Sequence, residues 1–247
     1  MVDFKLLSVA ATVCLAPSFT FSQPTAPDTL FLKTSIDHVR DVYDQSTKSY
    51  SQLYNGKEYV AIKKNMPEVG TMFFLSEEWE EGAVHYDGVL YERVSMRYDQ
   101  LHDKLVIEHK GYSEIELISE KIKHFDLLHH TFVRIDPNPT MKSIISPGFY
   151  DLIYDGQSKV LVKRLKVAEE RVETQTSMIL TYKEKNSVFI FKGGRYHMVN
   201  NKSSVLKIFE DQKSALKKFI SKNHIKYKKN KEGALIQIAR EYDDLSR

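Results

Sequence analysis

Ala83-Val84-His85-Tyr86-Asp87-Gly88-Val89-Leu90-Tyr91-Glu92-Arg93-Val94-Ser95-Met96-Arg97-Tyr98 is the stretch whose pattern decides the fold class. Two runs rich in strand formers flank Asp87-Gly88, a dipeptide that tolerates the positive φ angles of a type I′ hairpin turn. The same grammar recurs on either side of it. Residues 50–54 and 57–63 flank Asn55-Gly56, residues 149–154 and 159–165 flank Asp155-Gly156, and residues 188–191 and 195–199 flank Gly193-Gly194. Further strands are expected at 72–75, 105–109, 114–118, 122–135 and 177–183, about a dozen in all. Three of the turns read Tyr-Asx-Gly, at Tyr54, Tyr86 and Tyr154, but their flanks do not repeat, which argues for coincidence rather than duplication.

The pattern changes towards the C-terminus. After Ser203-Ser204 the apolar residues Val205, Leu206, Ile208, Phe209, Leu216, Phe219 and Ile220 recur at helical spacing, with Asn223 at a plausible stop. A second helix is expected from about Lys231 to Leu245, burying Leu235, Ile238, Ala239 and Tyr242. A short helix between Ser35 and Thr47 is read from Ile36, Val39 and Tyr43. The expected class is α+β: mainly antiparallel sheet, as a hairpin meander, sandwich or half-barrel, with a C-terminal helical pair. No Gly/Ser/Pro linker separates sheet from helices, so residues 35–247 read as one β-rich domain ending in helices over about 203–245.

The start of the chain reads as an address. A lysine-bearing lead, the apolar run Leu6 to Ala16, and small residues at Thr20 and Ser22 form a secretory signal over 1–22, with cleavage before Gln23. Residues 23–34, with Pro24 and Pro27, are expected to be a flexible lead-in. The apolar run is shorter than the ~20 residues a membrane helix needs. The only cysteine, Cys14, lies within the signal, so the mature chain is expected to carry neither disulfide nor thiol, which suits a bacterial periplasm or cell surface. The 247 residues are 42% hydrophobic and 28% charged, and only 10 Gly and 7 Pro exclude collagen-like and low-complexity classes.

The signal ending Phe21-Ser22-Gln23, the segments Leu53-Tyr54-Asn55-Gly56-Lys57-Glu58-Tyr59 and Tyr86-Asp87-Gly88-Val89-Leu90-Tyr91, and the Ser204-Val205-Leu206 entry into a Lys-rich helix resemble a group of secreted Bacteroidota proteins of no assigned activity. The resemblance implies an envelope address and nothing about chemistry.

Motifs of catalysis are missing from the sequence. It contains no Gly-x-Ser-x-Gly elbow, dinucleotide or phosphate-binding glycine loop, or His-Glu-x-x-His helix, so no catalytic residue, cofactor or metal is nominated. His124, Asp126 and His130 would share one face of a continuous strand, but four residues place Asp126 and His130 ~13 Å apart, too far to chelate one ion. Glu77, Glu78, Glu80 and Glu81 surround Trp79, the only tryptophan; Trp79, Glu77 and Glu78 form a candidate partner contact. From Lys202 to Lys231 ten lysines and no arginine stand against Glu210 and Asp211, a formal +8. Lys213, Lys217, Lys218 and Lys222 are the candidate contacts to an anionic membrane surface. Nucleic acid is discounted because export removes it and arginine, the usual base reader, is missing there. The expected function is a non-enzymatic envelope module for interaction or structure. A carrier of a lipid or other apolar ligand in a curved sheet is the alternative, and an envelope hydrolase the third.

Overall fold

The computed structural model describes residues 35–36, 39, 52–61, 66–109, 113–137, 144–174 and 177–246. The expected signal, the lead-in and most of the 35–47 helix lie outside these residues, although Ser35, Ile36 and Val39 are helical. Fourteen strands follow in order: β1 (Lys57–Glu58), β2 (Glu68–Val69), β3 (Glu80–Tyr86), β4 (Val89–Asp99), β5 (Lys104–His109), β6 (Ser113–Glu116), β7 (Ile122–Leu127), β8 (His130–Ile135), β9 (Gly148–Asp155), β10 (Lys159–Lys163), β11 (Lys166–Thr174), β12 (Ser177–Glu184), β13 (Ser187–Lys192) and β14 (Arg195–Met198). The helices α1 (Lys202–Ile208), α2 (Lys213–Lys222) and α3 (Lys231–Leu245) close the chain. This is α+β, mainly antiparallel sheet with helices at the C-terminus, as the sequence pattern predicts.

The main sheet has eleven strands in the order β1-β6-β5-β4-β3-β7-β8-β9-β10-β13-β14. It is a meander interrupted twice. After β6 the chain crosses back to lay β7 against the free side of β3, and after β10 it leaves the sheet to form β11 and β12 before returning as β13. β11 and β12 pair antiparallel and, with the short parallel β2, make a separate three-stranded sheet. The main sheet is open, with β1 and β14 at its ends.

That sheet must be curled. Tyr98 on β4 lies 5.4 Å from Phe125 on β7, 4.9 Å from Phe132 on β8 and 6.1 Å from Phe149 on β9, between ring centroids. In a flat sheet β4 and β9, four positions apart, would be separated by ~19 Å. The sheet is therefore an open, curled half-barrel whose concave side is filled by aromatic packing, with Phe125 stacked on Phe132 at 4.8 Å and Phe74 edge-on to Phe132 at 5.0 Å. Tyr86, Tyr98, Phe125, Phe132, Phe149, Met96, Leu105 and Ile107 are all fully buried in this interior. A second core lies where Val160, Val162, Val188 and Ile190 meet the helices at Val205, Phe209, Leu216, Leu235, Ile238 and Ala239.

Local chemistry explains each departure from expectation. The turns at Asp87-Gly88 (φ 50 and 84) and Gly193-Gly194 (φ 56 and 76) are left-handed at both positions, as type I′ requires. Asn55-Gly56 makes no hairpin: Gln52–Tyr54 is a 3-10 turn, and β1 pairs with the distant β6. A side chain at Gly56 would meet the Glu116 carbonyl at 2.4 Å, so the glycine serves close approach instead. Residues 72–75 contribute one bridge, Phe73 to Asp99, rather than a strand. The run 122–135 is two strands, folded at Leu128 and His129, both left-handed (φ 50 and 64) without glycine. That fold separates the expected histidine face, placing Leu127 opposite His130. β11 was not expected at all. The first helix breaks at Phe209, where Lys192 Nζ donates to the Ile208 carbonyl (3.0 Å) and to Asp211 (2.5 Å), and Phe209 stacks on Tyr242 at 4.2 Å. α1 starts where Asn201 and Ser204 form a reciprocal capping box, and Asn230 caps α3 by accepting from Gly233 N–H (2.9 Å).

Burial holds the phenols of Tyr59, Tyr86, Tyr98 and Tyr150 protonated above their ordinary pKa of 10.0, and that of Tyr182 up to about 12. Above pH 10.0 the unfolded chain loses these protons while the native chain keeps them, so this stability is present below 10.0 and is lost as pH rises through the native values. Lys163 and Lys166, lowered from 10.5 by desolvation, act in the opposite sense but are outnumbered. Urea midpoints should be nearly flat between about pH 7 and about pH 9 and fall above that range. Phenolate absorbance should lag behind that of free tyrosine until the chain unfolds.

Candidate functional site

The end of β10 carries two cations that the sheet does not leave in water. Lys163 and Arg164 are 5% and 9% exposed, directly after the apolar Val160-Leu161-Val162. Lys163 ion-pairs with Asp103 in the β4–β5 turn and lies 4.8 Å above the Tyr150 ring. Desolvation by its neighbours lowers its pKa despite that carboxylate. Asp103 also accepts from the Tyr98 hydroxyl (2.5 Å) and from Phe149 N–H (3.4 Å), which ties β4 to β9 across the curl. A side chain at Gly148, whose φ is 134, would meet Asp103 Oδ2 and Lys163 Nζ, so glycine is required where this bridge passes.

Arg164 makes the second bridge. Its Nε donates to Asp151 (2.6 Å) and its two terminal nitrogens donate to Glu232 (3.2 and 2.9 Å) in the first turn of α3. Asp151, 1% exposed, is also bonded to His130 Nδ1 at 2.8 Å. The His130 ring is edge-on to Phe74 at 5.0 Å. The other end of α3 is fastened by Asp243, which accepts from Ser158 N–H and hydroxyl (2.7 Å) and from Tyr154 (3.0 Å). Opposite charges and hydrogen bonds therefore pin the helix to the sheet at both ends.

A second Asp–His pair sits at the β4–β5 turn. Asp99, fully buried, accepts from the Tyr59 hydroxyl (2.8 Å), from Leu101 and His102 N–H, and pairs with His102 Nδ1 at 2.6 Å. Such pairs orient an imidazole for base catalysis when a nucleophile stands on its other side. Among the described residues neither His102 nor His130 has a hydroxyl or thiol hydrogen-bonded to it, and the pairs act as turn and helix clamps. His85 and His124 face each other across β3 and β7 with centroids 5.4 Å apart. Among the described residues no three His, Cys, Asp or Glu side chains converge as a metal site.

The nominated residues fall in separate places. Trp79 is half-buried in a small cluster with Tyr59, Met72, Phe73 and Val106, and the Arg97 guanidinium lies 3.8 Å over its ring. Arg97 also donates to the Glu77 carbonyl (3.2 Å) and pairs with Glu114 (2.8 Å), so Trp79 is one layer of a stacked sandwich while the Glu77 and Glu78 side chains are exposed. Lys217, Lys218 and Lys222 are exposed on α2, and Lys213 stands 4.0 Å from Glu210. The apolar side of α2, Leu216 and Ile220, is fully spent in the core. Among the described residues no helix is long and apolar enough to cross a membrane.

Two features were not nominated. One is the β11–β12 arm: from Ala168 to Glu173 every position but Glu169 is exposed, and the cross-strand partners Val172 and Met178 are 73% and 42% exposed. The other is a cleft of about 410 Å³ between the turn 223–230 and α3, lined by Lys226, Lys229, Asn230 and Gln237. The charged pair after an apolar run, Lys163-Arg164, was a readable signal for the bridges; the arm had none, because its residues do not alternate. Comparison of the chain with protein-family models, with curated proteins and with solved structures found no match.

Asp151→Ala leaves the buried Arg164 with one partner removed and should cost ~3–5 kcal/mol in chemical denaturation. Glu232→Gln, at the more exposed end of the same guanidinium, should cost only ~1 kcal/mol or less. Equal losses would remove Asp151 from its place at the centre of the bridge.

Proposed function

We propose that the chain is a secreted cell-envelope protein working as a non-enzymatic interaction module, with the β11–β12 arm as the element that meets another envelope protein. The observation that carries this reading is the arm itself. β11 runs nine residues with β12 as its only strand partner among the described residues, so no described strand covers its other edge, and Val172 and Met178 form an apolar pair in water near its tip. Edges of this kind accept an added strand, with main-chain hydrogen bonds supplying affinity and alternate side chains supplying selectivity. Glu169, Arg171 and Glu173 along the same strand restrict indiscriminate pairing.

The aromatic interior speaks against the carrier reading. The curl is filled by Tyr98, Phe125, Phe132 and Phe149, all fully buried, and the cleft at the helix turn lies outside it. The secreted address rests on the N-terminal pattern and the resemblance to secreted Bacteroidota proteins.

The test uses a single thiol. Val172→Cys in the exported chain, treated with a cleavable thiol cross-linker on intact cells of a Bacteroidota host, should give one discrete heavier adduct. Lys185→Cys, on the exposed link between β12 and β13, should not, and Met178→Lys added to Val172→Cys should abolish the adduct. The same adduct from both cysteines, or none from Val172→Cys, would defeat the arm as the contact. A stoichiometric small-molecule mass on the native exported protein would instead restore the carrier.

A further inference from the structure

We infer that the lysine-rich face formed by α2, the turn 223–230 and the start of α3 docks the protein on a bilayer of anionic lipid. The inference is independent of the arm and concerns a different surface. It starts from how charge is distributed between inside and outside. Elsewhere in the described chain most cations have a carboxylate in reach: Lys104 with Glu116, Lys121 with Asp87, Lys163 with Asp103, Arg97 with Glu114. Within residues 202–231 only Lys213, at 4.0 Å from Glu210, has one among the described residues. Lys217, Lys218, Lys222, Lys226 and Lys229 are exposed with no carboxylate partner among the described residues.

The reason lies in what the nearby acids do. Asp211 is held by Lys192 and the Tyr242 hydroxyl, Glu232 by Arg164, and Asp243 by Ser158 and Tyr154. Asp243 is buried, Asp211 and Glu232 keep 51% and 39% of their side chains exposed, and none of the three is within ion-pair distance of a lysine on α2 or the following turn. A solvated helix face requires no such imbalance, since interspersed acids serve solubility equally well. A partner complementary to this face carries dense negative charge. Insertion of the helix is excluded because Leu216 and Ile220 are buried, so attachment is peripheral and electrostatic, the mode in which clustered lysines meet anionic headgroups. Lys226 and Lys229 flank the shallow, open cleft between the turn and α3, so they stand on the same face as the α2 lysines.

The experiment uses the chain recovered from the periplasm of a bacterial host and vesicles of phosphatidylglycerol and phosphatidylcholine or of phosphatidylcholine alone, read by co-sedimentation. Binding should require phosphatidylglycerol and weaken steeply with salt. The triple variant Lys217→Glu, Lys218→Glu, Lys222→Glu should weaken it at least ~100-fold. Lys226→Gln with Lys229→Gln should weaken it ~10-fold, at unchanged melting temperature. A control triple at the exposed Lys57, Lys123 and Lys185, equal in charge change, should stay within about threefold of the parent. Three results would overturn the inference: equal binding to both vesicle types, an equal loss in the control triple, or tighter binding to soluble heparin than to the anionic vesicles.

Discussion

The contact of Tyr98 with Phe149 is the constraint on which the rest of the molecule depends. It brings ring centroids from β4 and β9, strands four places apart in one sheet, within 6.1 Å of each other. Only a curled sheet satisfies it, and the curl sets the positions of everything that follows. The β4–β5 turn arrives against the end of β10, where Asp103 meets Lys163 and the Gln100 carbonyl accepts from Lys166 N–H at 3.1 Å. The opposite face of β9, β10 and β13 is left for the helices, whose apolar stripe completes the second core. Dispersion and apolar burial provide the favourable energy of the curl, while the buried ion pairs select the geometry, because a displaced strand would leave Asp103 or Asp151 without a partner.

Four buried or half-buried acids do most of the joining. Asp99 organises a turn, Asp103 bridges two sides of the curl, Asp151 holds Arg164, and Asp243 fastens the end of α3. Spending acids in the interior leaves cations outside. A chain with a formal charge of only +3 thereby presents a strongly positive C-terminal face. The +8 of residues 202–231 is written in the sequence; that Asp211, Glu232 and Asp243 are engaged by Lys192, Arg164 and Ser158 rather than by the α2 lysines is a property of the fold.

The legible parts of the sequence were those whose physics is local. Asp87-Gly88 and Gly193-Gly194 announce their hairpins because glycine makes the left-handed turn inexpensive, and the helical faces of Leu235, Ile238, Ala239 and Tyr242 follow from a period of 3.6. The turn at Leu128-His129 was hidden because neither residue favours positive φ; the pairing of β7 with β8 imposes it. Asn55-Gly56 signalled a hairpin, but the partner of β1 is β6, nearly sixty residues on. β11 escaped notice because it is exposed on both faces and lacks alternation, which is also why it is the surface of interest. Of the nominated site residues, Glu77, Glu78, Lys217, Lys218 and Lys222 are exposed, Lys213 is half-buried beside Glu210, and Trp79 is engaged by Arg97.

Turn chemistry, periodicity and capping act over a few residues, so they are written in the order of the amino acids; the antiparallel character, most strand positions and the helical ending were accordingly present in the chain as read. Strand order, the curl and the partners of Asp103, Asp151 and Arg164 involve residues tens of positions apart. Those pairings form only when loop closure is repaid by burial shared among many strands at once, and no local window contains that sum. The same holds for function: the lysines were visible as residues, but whether acids would neutralise them was decided only when Glu232 and Asp243 turned inward.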